Sequence, residues 1–278
     1  MADKLWIGNG TASSGNYGDW SQADNWSPSG VPVASDNVRF SAEHTQAVTA
    51  GLNQSSITLG DLIIEDGYSG KIGTNTAPLQ IGVTTFEYAG RGDSAFLDIA
   101  ASSVNPVIHN TGSSTTGKVG LHIKGSAMGT VVVMAGSVGL GSLHGTSATV
   151  TTLRVTGGSV EIGSGSTVTN IYSFGVSVTT RTNITDCNVN GGTVTAREQA
   201  AITTLDLEDG TVNFNSEATW ATVNVNGGRL SIGAGSNKTI TNLTLEPGGE
   251  LIYYPSNLTL SNDLPKATQP IRITTSDV

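Results

Sequence analysis

The chain has 278 residues, a formal net charge of −9, 36 glycines and only 13% charged residues. Abundant Gly, Thr, Ser, Asn and Val make the vocabulary of short strands and tight turns, and apolar residues at 37% are too many and too regular for disorder. Thirteen scattered Lys and Arg against 22 Asp and Glu argue against a nucleic-acid surface, and the longest purely apolar run, Val131 to Ala135, is too short to span a bilayer.

Residues 1–45 differ from the rest and hold Trp6, Trp20 and Trp26, three of the four tryptophans. Turn residues Ser27, Pro28, Ser29 and Gly30 lead into the alternating pair Val38 and Phe40. The region is expected to be an N-terminal cap whose indoles cover an apolar core; an aromatic platform for carbohydrate is the alternative use of the same rings. The opening MADKLWIGNG has no apolar h-region, so the expectation is a protein made in a cytoplasm without a secretory signal.

From residue 46 the chain repeats. Leu62 and Ile64, Leu79 and Ile81, Leu97 and Ile99, and Leu121 and Ile123 are successive L-x-I steps, read as wide coils with insertions. Beyond them a template emerges with a glycine at position zero and apolar side chains at −5, −3, +2 and +4. It fits Gly136, Gly158, Gly192, Gly210 and Gly228, loosely Phe174, and Gly248 with the later pair delayed by one place. Around Gly210 the four positions are Leu205, Leu207, Val212 and Phe214; around Gly228 they are Val223, Val225, Leu230 and Ile232.

Period-two alternation marks half-buried strands, and a glycine between two of them marks a corner. Recurrence at roughly 18–22 residues marks a solenoid. The predicted fold is therefore all-β, a right-handed parallel β-helix over residues 46–255. A β-sandwich would also have many short strands, but not this spacing. Residues 256–278 carry Pro265 and Pro270 and no repeat, which suggests a C-terminal cap or tail.

Outward positions follow from the same alternation. At −4 they are Arg154, Asn188, Asp206, Asn224 and Thr244; at +1 and +3 they include Ser159, Glu161, Thr193, Thr195, Thr211, Asn213, Arg229 and Ser231. These are neutral, hydroxyl-rich surfaces without the paired carboxylates of a polysaccharide-cleaving site. Asp206, Glu208 and Asp209 read as a solvated corner. His44, His109, His122 and His144 lack metal-ligand spacing. Cys187 takes an inward position as a packed thiol. Arg91-Gly92-Asp93 and the Asn-x-Ser/Thr sites (Asn25, Asn53, Asn183, Asn237, Asn242, Asn257) read as products of composition. No catalytic activity, cofactor or metal is expected.

The N-terminal residues Trp6, Gly8, Asp19, Trp20, Asn25, Trp26, Ser27, Pro28, Gly30, Val31, Pro32, Asp36, Asn37, Val38 and Phe40 carry a resemblance. This segment, followed by weakly repeated strands, resembles tailed-phage virion proteins of the capsid-decoration type, and also the start of β-helical passenger domains of bacterial surface proteins. The first resemblance implies a structural virion protein on the capsid surface, made in the host cytoplasm, binding the major capsid protein, as a homotrimer. Trp6, Trp20, Trp26 and Phe40 are then the candidate partner-binding residues. No nucleic acid or membrane partner is implied. A receptor-binding fibre or spike, or a glycan-binding β-helix adhesin, is the alternative, and glycan binding stays open.

Overall fold

The structure, a computed structural model, describes residues 1–9, 17–92, 95–99, 104–112, 119–142, 146–235, 237–253, 257–262 and 272–275. It is a parallel β-solenoid of about ten turns. Among the described residues, strands follow one another from Asp3–Trp6 to Arg272–Thr275, with a single short 3-10 turn at Ala23–Asn25. The strand pairings described are parallel except that of Asp3–Trp6 with Trp26–Ser27.

The apolar residues stack into inward columns, three of which mark the three strands of a coil. One runs through Phe40, Ile64, Tyr88, Ile108, Val133, Val155, Ser173, Val189, Leu207, Val225 and Leu245, each paired with the next. These are the −3 positions of the repeat and their counterparts in the wide coils. A second column holds the side chains just past the corner glycine, on the second strand: Leu121, Val138, Val160, Val178, Val194, Val212, Leu230 and Leu251. The third was not foreseen. It contains Met128, Val150, Val168, Ile184 and Ile202, continued by Trp220 and Ile240, all buried. From Met128 to Trp220 each stands at −8 relative to its coil's position zero, so each of these coils presents three strands to the core.

Coil length varies more than the predicted spacing. The steps from Phe40 to Ile64 and from Ile108 to Val133 are wide, whereas that from Ser173 to Val189 is the shortest in the column. The narrowest coil also corrects one anchor: Val176, rather than Phe174, lies beside Gly192 and takes position zero. This places Ser173 and Thr180 where other coils carry aliphatic side chains, and both are buried. At the far end Gly249 rather than Gly248 stands over Gly228, because the preceding turn is longer by one place.

The two terminal regions belong to the stack. Asp3–Trp6 and Asn37–Phe40 are its first two rungs, so residues 1–45 continue directly into the solenoid. Leu258–Leu260 and Arg272–Thr275 pair in parallel with the last full coil, so the ladder continues past residue 256, where no repeat was expected.

Glycine at the corner is demanded twice over. Gly158 has φ +80°, and a Cβ there would lie 2.1 Å from the Gly136 carbonyl oxygen of the coil below. Neighbouring coils therefore touch backbone to backbone at this edge, which no larger residue permits.

Candidate functional site

The capped end is built around four rings. Trp26 meets Trp6 edge-on at 5.0 Å and Trp20 at 4.6 Å, and Phe40 packs 5.9 Å from Trp6. The Trp6 indole N–H donates to the Gln46 carbonyl (2.9 Å) and that of Trp26 to the Trp20 carbonyl (2.8 Å). Trp6, Trp20, Trp26 and Phe40 are all buried. The expectation that these rings form the partner-contact surface is corrected accordingly: their area goes into sealing the first rungs, as expected of a cap.

What this end exposes is held in place by Asp36. Its buried carboxylate accepts the Ala2 backbone N–H through Oδ1 (2.7 Å) and the Val33 N–H through Oδ2 (3.1 Å). Burial alone would raise its pKa, but these two bonds and the positive charges of the Met1 ammonium and Lys4 outweigh burial and hold it below the ordinary carboxylate value. The clamp brings the chain start and the 33–36 turn together. Met1 and Val33 there are 91% and 59% exposed; Tyr17, 42% exposed, precedes Gly18, whose carbonyl accepts the Thr49 and Ala50 N–H groups. Met134 is the fourth large apolar residue exposed among the described residues.

A second surface runs along the side of the rod. The outward residues paired rung by rung are Leu5, Arg39, Ile63, Glu87, Val107, Val132, Arg154, Tyr172, Asn188, Asp206, Asn224 and Thr244. The −4 row inferred from sequence is thus real, and Asn224 Nδ2 donates to Asp206 Oδ1 at 2.8 Å. Sequence reasoning missed the first half of the row, which is apolar with interleaved charge. It missed it because the wide and unequal coils of that half hide which side chains share a rung. Beside this row, Arg39 pairs with Glu65 (3.2 Å), His109 Nε2 lies 3.5 Å from Glu87, and the Arg154 guanidinium sits 5.5 Å over the Phe174 ring.

The +1 and +3 face is less neutral than the sequence suggested. Arg229 Nε donates to Glu250 Oε2 (2.7 Å), and Arg181 bridges Glu161 and Glu198. On this side His122 stacks on Phe96 at 4.8 Å, and its Nδ1 lies 3.3 Å from the Ser142 hydroxyl in a small cleft with Lys124 and Asn75. Burial holds the His122 imidazole below its ordinary pKa, against the raising influence of Glu161. Lys124 is occupied by Asp98 at 3.1 Å.

The remaining sequence candidates disperse. Cys187 is buried, and burial, helped by Asp206, pushes its thiol up to about 12, which makes it unreactive. Arg91 is bound to Asp66, and Asp93 and His144 lie outside the described residues. Asn25 is buried, with its amide donating to the Asp19 carbonyl (2.8 Å). Among the described residues no group of three His, Cys, Asp or Glu is placed to hold a metal ion.

With the geometry established, comparison supplies no relative. No protein family, curated protein or solved structure matches the chain.

Proposed function

We propose that the protein is a structural component of a virion exterior, docking on a capsid shell through its capped end. The observation that supports this most directly is the distribution of exposed apolar side chains: of the four large ones exposed among the described residues, Met1, Tyr17 and Val33 belong to the N-terminal segment that carries the buried aromatic cluster. A contact surface backed by a fixed core loses little entropy on binding. The resemblance of residues 6–40 to decoration proteins supplies the partner, the major capsid protein.

The buried tryptophans change the appropriate experiment. Deleting residues 1–45 would strip two rungs and leave Leu62 and Ile64 uncovered, so loss of binding would follow from unfolding alone. Surface variants avoid this. Wild-type protein should co-sediment with shells of the major capsid protein of its source particle, and Val33→Asp and Tyr17→Ala should weaken that binding at unchanged Tm. Absence of wild-type binding would remove the capsid reading; undiminished binding by both variants would move the docking surface elsewhere.

A further inference from the structure

The lateral row has a symmetry that its separate residues do not reveal. Counted by rung from the capped end, Val107 and Val132 are neighbours at positions five and six, flanked by Glu87 at four and Arg154 at seven. Ile63 and Tyr172 stand one rung further out on either side, then Arg39 and Asn188. Reversed end for end, the centre of the row matches itself, apolar on apolar and acid on base.

We propose that this face is an isologous dimer interface: a second copy packs on it with the rods antiparallel and the two-fold axis between the Val107 and Val132 rungs. Under that symmetry Val107 meets Val132 of the second copy, Glu87 meets Arg154, and Ile63 meets Tyr172, each contact occurring twice. The flanking outward rows agree. One sets Thr85 against Thr152, and the other sets His109 against Met134 and Ala89 against Thr156.

Other arrangements of two copies are disfavoured by charge. Parallel rods bring equal rungs together and set Arg39, Glu87, Arg154 and Asp206 each against its own kind. Sliding the antiparallel pair by one rung leaves Arg154 facing Val107 and Glu87 facing Tyr172, or Glu87 facing Val132 and Arg154 facing Ile63. The groups involved are also under-used within one chain. Among the described residues Arg154 has no carboxylate within ion-pair distance, Glu87 has only His109, and Met134 is 45% exposed.

Ten rungs at ~4.8 Å and about five residues of strand width give roughly 800 Å² per partner, the size of a standard interface. The dimer, centred on valines and partly exposed charge pairs, is expected in the micromolar range. It does not rest on the capsid reading, since both capped ends stay free at opposite ends of the pair.

Sedimentation equilibrium of the full chain over about 1–100 µM tests it. Wild type should pass from monomer to dimer. Glu87→Arg and Arg154→Glu should each weaken association at least tenfold, because each sets like charges face to face twice, while the double variant should restore it. An equimolar mixture of the two single variants should also regain it, to within about twofold, because their heterodimer sets Arg against Glu at both contacts. Circular dichroism keeps a misfolded variant from counting, and all these side chains point outward. A protein monomeric at 100 µM, a trimer, or a dimer indifferent to the single charge reversals would each overturn the proposal.

Discussion

Asp36 shows how a single side chain organises an end of the molecule. Its folded pKa lies below the unfolded value, so the stability it contributes is present at neutral pH and fades as pH falls from the ordinary carboxylate range through the folded value. Asp36→Asn should cost about 1–3 kcal/mol at pH 7 and flatten the acid limb of a plot of Tm against pH. A mutant whose Tm keeps the wild-type slope below pH about 4 would assign that limb to other carboxylates. Ser173 presents the opposite case. Its hydroxyl is buried without a partner between Val155 and Val189. Ser173→Ala should raise stability by about 1 kcal/mol in urea unfolding, because nothing bonded is lost. The tryptophans of the cap were legible in sequence as an aromatic cluster, but cap and contact surface draw on the same residues there. Only the packing of Trp26 between Trp6 and Trp20 decides for burial.

At the scale of the coil, two strands were readable and the third was not. Leu205, Leu207, Val212 and Phe214 alternate across Gly210 at period two, and Val223, Val225, Leu230 and Ile232 repeat them across Gly228 in the next coil. Ile202, Ile184 and Trp220 stand three places before the first inward position of their coils, an odd offset made by a bend between faces, and it breaks the alternation that marks a strand. The wide N-terminal coils hid their rungs for the same kind of reason, since insertions between strands leave no fixed interval to count. The corners themselves lend themselves to a paired test. Gly175 has φ +78° with nothing within 4 Å of an added Cβ, whereas at Gly158 the same atom would strike the Gly136 backbone. Gly175→Ala should cost about 1 kcal/mol, the strain of a left-handed conformation, and Gly158→Ala at least about twice as much. Equal losses in thermal unfolding would mean that the close approach between coils relaxes freely.

In the whole molecule each coil rests only on its two neighbours, and this makes its length adjustable. Thr193 stands beside Thr211 and Val189 beside Leu207, so removing residues 193–210 joins Gly192 to Thr211 with every later rung in place. The shortened chain should fold, with a lower Tm and a rod shorter by ~4.8 Å in small-angle scattering. An unfolded product would show that this coil carries contacts beyond its neighbours. The coil from Ser173 to Val189 has another consequence. With the least chain in its circuit, a bare hydroxyl at Ser173, and Thr180 in place of an aliphatic side chain, it is the thinnest joint in a core otherwise filled mostly with Val, Leu and Ile. Stretched between its ends, the molecule should part there first, into two blocks that each keep their own packing, rather than unravel from a tip.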